Sequence, residues 1–160
     1  GVLNELGRSV FYRTFDTILF ASPEKFKMVA ERCELFLVDL KLIDSAKHRF
    51  YTQVGNEQIL SNIRLLSEIG HPFWIRIPFI AGVNADEENL TASAEFLATL
   101  PTKPQMVNLL VYHDVGIGKH ARLGTTYNPD NIEMEAPSEE MQQKALDIMQ
   151  AHGLNTKIGG

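Results

Sequence analysis

Asp39 and Lys41 are the residues of this 160-residue chain whose types and spacing most directly indicate chemistry. They follow an apolar run, residues 35–38, that is typical of a strand buried on both faces in a parallel sheet. Because positions i and i+2 of a strand point to the same face, the carboxylate and the ammonium are predicted to project together. Charges at such a place are costly unless they are paired or bind a ligand. In α/β folds, ligands bind at this carboxyl end of the strands.

Three other predicted strands also carry polar residues at their carboxyl ends. Asp16 and Thr17 follow the first strand, Arg76 lies on the third, and His113 follows the fourth. In a parallel sheet all of these ends lie at the same edge. We therefore expect ionisable groups from four successive strands to converge on one rim, which is a stronger indication of a site than any single residue.

Each of these residues also has a purely structural interpretation, which the sequence leaves open. Asp39 and Lys41 can form a structural ion pair at the edge of the sheet. Asp16 can cap the loop that follows it. Arg76 can pair with an acidic residue of a helix, and His113 can be a hydrogen-bonded histidine at the rim.

The segments that must position these residues alternate between strand-like and helix-like patterns. This alternation predicts an α/β fold with parallel strands joined by right-handed helical crossovers. Four or five βα units are too few for a complete eight-stranded barrel, so we expect a doubly wound sheet or an incomplete barrel. Strands are predicted over 9–13 (running on to Asp16-Thr17), 35–41, 73–77, 107–112 and 154–158, and helices from Ser22 and over 45–51, 57–69, 86–100 and 139–152.

Several residues indicate where these elements begin and end. Asp44 and Ser138 are predicted helix N-caps, and Gly70 and Gly153 are predicted to end helices. Pro78 is predicted to close the third strand. Residues 114–137 are predicted to form a 24-residue loop, and a loop of that length in a compact domain is usually functional.

Composition indicates one globular domain and excludes several classes of function. The chain is 44% hydrophobic with a net charge of −5, and it has no basic stripe that would indicate nucleic-acid binding. Its apolar runs are too short to span a bilayer. The single Cys33 excludes an internal disulfide framework and is typical of a reducing, cytoplasmic location. No Cys or His cluster has metal-ligand spacing, and four histidines are interpreted as solvated surface or loop residues: His48, His71, His120 and His152.

Several stretches together resemble the activating enzymes of glycyl radical enzymes, which belong to the radical S-adenosylmethionine (SAM) superfamily. The similarity is greatest to the pyruvate formate-lyase activating enzymes, and order and spacing agree over nearly the whole chain. The matching runs are 16–17 (DT), 35–44 (LFLVDLKLID), 47–48 (KH), 54–56 (VGN), 74–88 (WIRIPFIAGVNADEE) and 109–113 (LLVYH), followed by Gly116, Lys119 and Leu123-Gly124.

The resemblance implies a fold, a reaction and partners. The fold would be part of an incomplete (β/α)6 TIM-like barrel. The cofactors would be a [4Fe-4S] cluster and SAM, which the enzyme cleaves to methionine and a 5′-deoxyadenosyl radical. That radical would abstract a hydrogen from a glycine of a partner such as pyruvate formate-lyase, and a flavodoxin or ferredoxin would supply the electron.

The resemblance also implies roles for individual residues. Lys41 would reach the SAM carboxylate, and His113 would contact SAM near its adenosine part. Arg76 would line the active site as a possible catalytic residue. The family also has a monovalent cation site near the SAM, and its ligands here would be Asp16, Thr17 and Asp39.

The chain departs from the family in one large respect. The family's Cys-x3-Cys-x2-Cys cluster motif and its Gly-Gly-Glu run are absent, and Cys33 lies elsewhere. We therefore expect residues 1–160 to be the carboxy-terminal two-thirds of the enzyme's barrel domain, inactive alone. Two alternatives remain: a lyase that forms a Schiff base on Lys41, and a non-catalytic interaction domain.

Overall fold

The computed structural model describes residues 14–17, 28–113 and 132–160, and its centre is a five-stranded parallel sheet. Residues 28–30 are helical, whereas the predicted strand over 9–13 and the helix start at Ser22 lie outside the described residues. The strands are β1 (Thr14–Thr17), β2 (Leu35–Asp39), β3 (Phe73–Phe79), β4 (Met106–Val111) and β5 (Thr156–Ile158). The helices that follow them are α1 (Ser45–Thr52), α2 (Glu57–Glu68), α3 (Glu87–Ala98) and α4 (Glu139–Ala151).

The strand order decides between the two predicted architectures. Each strand pairs in parallel with its neighbour in sequence, in the order β1-β2-β3-β4-β5. A doubly wound sheet reverses direction at a switch point, and no reversal occurs among these strands. The prediction of an α/β fold that forms part of an incomplete barrel is therefore confirmed.

The two faces of the sheet differ sharply in burial. One face packs against the helices and forms the core. The opposite face, which we call the inner face because it corresponds to the interior of a barrel, carries the charged residues. The packed face presents Phe36, Val38, Ile75, Ile77, Phe79, Val107 and Leu109, each no more than 1% exposed. The inner face presents Asp16, Leu37, Asp39, Trp74, Arg76, Pro78, Met106, Asn108, Leu110 and Lys157.

Capping residues mark the starts of three helices, and glycines mark the ends of two. The side chains of Asp44, Asp86 and Ser138 each accept a hydrogen bond from a backbone N–H in the first turn of α1, α3 and α4. Gly70 and Gly153 follow α2 and α4 with φ of 67° and 70°, a left-handed conformation that glycine adopts without strain. No helix within the described ranges is long and apolar enough to cross a bilayer.

Pro78 does not close β3, which continues to Phe79, so that prediction is wrong. The carbonyl of Arg76 accepts from Leu40 N at 2.9 Å, so alternate backbone groups of β3 face β2. Because β2 ends opposite Arg76, the missing N–H of Pro78 faces a side where no ladder bond remains to be made. The Pro78 carbonyl on that side accepts instead from Asn84 Nδ2.

Candidate active site

The centre of the inner face is an ion cluster built from three strands. Parallel register places Asp39 of β2 directly beside Arg76 of β3. Arg76 Nε donates to Asp39 Oδ1 at 2.9 Å, and its Nη1 donates to Asp16 Oδ2 at 2.8 Å. Nη2 bridges both carboxylates, contacting Asp39 Oδ1 at 2.7 Å and the Oδ1 of Asp16. The structure therefore brings together three of the predicted residues through one guanidinium.

The three side chains of this cluster differ in how much of each is exposed to solvent. The side chains of Arg76 and Asp39 are 19% and 22% exposed, whereas that of Asp16 is 62% exposed. Burial opposes the charge on the guanidinium, but the hydrogen bonds and charges of Asp16 and Asp39 outweigh it and raise the pKa of Arg76 above its ordinary value. Asp39–Arg76 is thus the shielded pair, and solvent screens the contribution of Asp16.

Lys41 lies apart from this cluster. Strand β2 ends at Asp39, two residues earlier than predicted, and the described ion-pair partner of Asp39 is Arg76. The described residues therefore do not form the Asp39–Lys41 ion pair of the structural interpretation. Lys41 instead lines a cavity of about 440 Å³ at the carboxyl end of β2 and β3, together with Tyr51, Pro78, Asn84, Ile132 and Met134.

Three buried asparagines fasten the backbone of segment 41–43. Asn56 Nδ2 donates to the carbonyls of residues 42 and 43 at 2.9 and 2.7 Å. Asn84 Nδ2 donates to the Lys41 carbonyl at 2.8 Å, and Asn89 Oδ1 accepts from the backbone N–H of residue 43 at 3.0 Å. A loop that would otherwise have unpaired backbone groups is held rigidly in this way, and the position of Lys41 is held with it. The sequence alone indicates no role for these asparagines, although Asn56 lies in the matching run 54–56 and Asn84 in the matching run 74–88.

Segment 132–135 covers the turn that follows β3. Ala81 and Glu135 exchange backbone hydrogen bonds of 3.0 and 3.2 Å. Gly82 has a φ of 84°, and a Cβ there would clash with the carbonyl oxygen of Glu133. Glycine at this position therefore allows the segment to approach closely, which brings Ile132 and Met134 over the cavity that Lys41 lines. The rest of the predicted loop, residues 114–131, lies outside the described residues.

Two predicted residues lie away from the cluster. His113 is exposed after β4 and lines a second cavity of about 440 Å³ with Gln142, Ile158 and Gly159. Thr17 pairs in register with Val38, so alternation places its side chain on the packed face, opposite Asp16. The structure therefore does not gather all six predicted residues around one point.

The residues fit the implied cofactors unequally. An ammonium on Lys41 beside a cavity suits the carboxylate of SAM. Among residues 14–17, 28–113 and 132–160, no group of three or more acidic, His or Cys side chains is arranged to hold a metal ion. Arg76 occupies the space between the two predicted carboxylate ligands, so this arrangement does not fit a monovalent cation site. A cluster also does not fit, since the one cysteine of the chain, Cys33, is buried in the core.

Two of the four histidines make structural contacts, and the interpretation as a solvated surface or loop residue is wrong for His48, which is buried in α1. His48 is 3% exposed, and its Nδ1 lies 2.8 Å from the carbonyl oxygen of Val54. The Nε2 of half-buried His71 lies 3.0 Å from the carbonyl oxygen of Cys33. The His48 contact is local, six residues along the chain, whereas the His71 contact joins residues 38 positions apart that only folding brings together. His120 lies outside the described residues.

Sequence reasoning also missed Asn108 and Lys157, which continue the row that Asp39 and Arg76 begin. Register pairs Asn108 with Arg76 on one side and with Lys157 on the other. Asn108 reads in sequence as part of a buried apolar strand, MVNLLV, so only the strand alternation would have placed it on the inner face. Asn108 is 3% exposed.

Comparison with known proteins decides the family. No family profile matches the chain. The crystal structure of a domain of pyruvate-formate lyase-activating enzyme from Bacteroides vulgatus superposes with a TM-score of 0.85 and 43% identity, over 99% of this chain and 88% of that one. The chain belongs to the glycyl radical enzyme activating enzymes. It is also 39% identical over its whole length to the trans-4-hydroxy-L-proline dehydratase activating enzyme of Clostridioides difficile.

Other relatives share this family and show how much of it the chain represents. The choline trimethylamine-lyase activating enzyme of Oleidesulfovibrio alaskensis is 40% identical over 114 residues, 70% of this chain and 37% of that protein. The C. difficile enzyme is covered to 52%, so this activating-enzyme chain spans about half the length of the curated relatives it matches. Streptococcus suis SuiB, at 11% identity and a TM-score of 0.72, shares the fold.

Proposed function

We propose that this chain is the part of a glycyl radical enzyme activating enzyme that binds SAM and the partner enzyme. The observation that carries the proposal is the 43% identity to a domain of pyruvate-formate lyase-activating enzyme across 99% of the chain. The lysine-lined cavity beside the strand ends supports it, because it provides a charged group and a partly open cavity at the edge where such folds bind ligands.

The chain's own residues bind and orient the cofactor in this proposal. The ammonium of Lys41 pairs with the SAM carboxylate, and the buried asparagines hold the Lys41 backbone so that the ammonium reaches one place. His113 contacts the adenosine part of SAM from the end of β4. Arg76 keeps Asp16 and Asp39 in fixed positions on the inner face through its hydrogen bonds to both carboxylates.

When bound, SAM and a [4Fe-4S] cluster would supply the one-electron chemistry that removes a glycine hydrogen from the partner, and Lys41 and His113 would hold the SAM. The cluster ligands do not come from these 160 residues, which contain a single buried cysteine. We therefore propose that residues 1–160 alone do not cleave SAM. Anaerobic reconstitution that yields four irons per chain and turnover of SAM would contradict this.

The partner is a glycyl radical enzyme, and the reductant is a flavodoxin or ferredoxin. Relatives of this chain activate trans-4-hydroxy-L-proline dehydratase, choline trimethylamine-lyase and pyruvate formate-lyase, and these three are the first partners to test. The open inner face and the loop over 114–137 are the proposed docking places. The cytoplasmic location stays a prediction.

The experiment that tests the function detects the product radical. The complete reading frame that contains this chain is reconstituted anaerobically with iron and sulfide, and then incubated with SAM, a reductant and each candidate partner. We expect an electron paramagnetic resonance signal of a glycyl radical in one partner. Substitution Lys41→Ala is expected to abolish it, whereas Lys47→Ala, at a lysine paired with Glu88 on the surface, is the matched control.

Two results would contradict the proposal. Lys41→Ala and Lys47→Ala variants that give equal radical yields would remove Lys41 from the SAM site. Borohydride that traps a carbonyl substrate covalently on Lys41, with no cleavage of SAM, would favour the Schiff-base lyase instead.

A further inference from the structure

The inner face contains a buried hydrogen-bond acceptor that the proposed function has not used. Asn108 Oδ1 is sealed from solvent and, among the described residues, has no hydrogen-bond partner. Leaving a buried acceptor unpaired costs about 1–3 kcal/mol. Native proteins keep few such groups, and each one calls for an explanation. A ligand that donates a hydrogen bond to this oxygen would recover that free energy.

The two residues that flank Asn108 in the row differ in whether their donor groups are available to a ligand. All the nitrogens of Arg76 point to Asp16 and Asp39, so the guanidinium turns away from Asn108. Lys157 on the other side is an exposed cation that register places on the same face. The row thus presents an unpaired acceptor next to a cationic donor. That pair complements a ligand whose donor and acceptor lie a short distance apart, as the N–H and C=O of a peptide backbone do.

The position of this pair separates it from the proposed SAM contacts. Lys41 lies two residues beyond Asp39, and His113 lies five residues beyond Asn108. Strands rise about 3.3 Å per residue, so the row of Asn108 lies up to roughly 7 Å deeper than Lys41 and up to roughly 16 Å deeper than His113, measured from the carboxyl edge of the sheet. A second ligand that lies further from the carboxyl edge of the sheet than the cofactor would contact this row rather than Lys41 or His113.

We propose that Asn108 is a substrate-positioning residue: its Oδ1 accepts a hydrogen bond from a backbone N–H of the partner's glycine-containing segment, and Lys157 attracts a neighbouring carbonyl. This inference rests on the proposed function, since it concerns the partner of that same site. It assigns recognition to the peptide backbone rather than to side chains. A contact of that kind accepts a segment in which the radical-bearing residue has no side chain.

The test uses the complete reading frame, loaded with SAM, and a short peptide centred on the radical-bearing glycine of the partner that the wild-type protein activates. In Asn108→Leu the acceptor is replaced by an apolar group of similar size. We expect its peptide Kd to rise about 3- to 10-fold, the factor that one hydrogen bond between neutral groups is worth. N-methylation of one backbone amide of the peptide should weaken binding to the wild type by a similar factor and leave binding to Asn108→Leu unchanged.

Two further readouts separate recognition from structure. Because the wild-type oxygen is unpartnered, Asn108→Leu should leave the melting temperature unchanged or raise it, whereas a purely structural residue would lower it. The matched control is Asn62→Leu in α2, an equally buried asparagine whose Oδ1 accepts from Gln58 Nε2. It should lower the melting temperature and leave the peptide Kd unchanged.

The outcomes that overturn this inference differ from those that overturn the function. A wild-type protein that neither cleaves SAM nor activates a partner contradicts both. A wild-type protein that activates its partner, with equal peptide affinities for wild type and Asn108→Leu or with no affinity for the peptide, overturns the role of Asn108 alone. A loss of SAM affinity in Asn108→Leu with unchanged peptide affinity would place the oxygen against the cofactor and overturn it as well.

Discussion

Replacing Arg76 by methionine should destabilise the chain chiefly through Asp39. The substitution keeps much of the side-chain volume but leaves a carboxylate that is 22% exposed without its cation. Breaking a fully buried pair costs about 3–5 kcal/mol, and an exposed pair is worth about 0.2–1 kcal/mol. Because Asp39 and Arg76 retain some exposure, we expect a loss between these ranges, about 2–3 kcal/mol, of which Asp16 accounts for less than about 1 kcal/mol.

Urea unfolding at pH 7 measures this loss directly. The single tryptophan, Trp74, lies on β3 two residues from Arg76, and its fluorescence together with circular dichroism reports whether unfolding is two-state. The 160-residue chain is a suitable specimen, because a domain of pyruvate-formate lyase-activating enzyme that covers 99% of it has been crystallised.

Double-mutant cycles then apportion the loss between the carboxylates. With Arg76→Met, Asp39→Asn and Asp16→Asn, alone and in pairs, the Arg76–Asp39 coupling should be about 2 kcal/mol and the Arg76–Asp16 coupling below about 1 kcal/mol. Equal couplings would refute the assignment of the shielded pair. A total loss below about 0.5 kcal/mol for Arg76→Met, which is typical of a surface substitution, would refute the claim that the cluster is stabilising.

Three further predictions concern the surroundings of the site. Gly82→Ala should destabilise the chain more than Gly70→Ala, because an added Cβ meets backbone at residue 82 and open space at residue 70. Gly70→Ala should cost about 1–2 kcal/mol for the left-handed conformation alone. Gly82→Ala should also speed amide exchange at residues 81 and 135, and equal losses of stability in the two variants would contradict the close approach. Asn84→Leu should lower the free energy of unfolding by about 2–4 kcal/mol, because it leaves buried carbonyls and an N–H unpaired. In the complete reading frame the same substitution should weaken SAM binding. Unchanged stability would show that Asn84 does not hold segment 41–43. The hydrogen bond from Ser45 lowers the pKa of Glu57 below its ordinary value of 4.5. Wild type should therefore be more stable than Glu57→Gln above pH 4.5, and this difference should disappear as the pH falls below that value. A stability difference that does not change with pH would contradict the hydrogen bond.

Local patterns predicted the fold because they encode it directly. The run at 35–38 and the β-rich segment at 73–77 are apolar enough to be interior strands, and both are. The cap residues Asp44 and Ser138 set the helix starts through side-chain chemistry that spans only a few residues. The choice of barrel over doubly wound sheet needed the strand order, which no local pattern contains.

The arrangement of the site depended on register and on long-range hydrogen bonds, which is why sequence predicted its members better than its contacts. The spacing of Asp39 and Lys41 indicated that they project together, but register supplied Arg76 as the partner of Asp39. His48 reads as a polar residue of a polar helix, and its burial and its contact with the Val54 carbonyl oxygen become apparent only in the folded chain. Asn108 differs from its apolar neighbours only by facing the other side of β4.

The most direct test of the proposed function measures cleavage of SAM by the complete reading frame, reconstituted with iron and sulfide under reducing, anaerobic conditions. We expect 5′-deoxyadenosine and methionine in equal amounts, with loss of both products in Lys41→Ala and retention of both in Lys47→Ala. A protein that carries its cluster and binds SAM but forms neither product would contradict it.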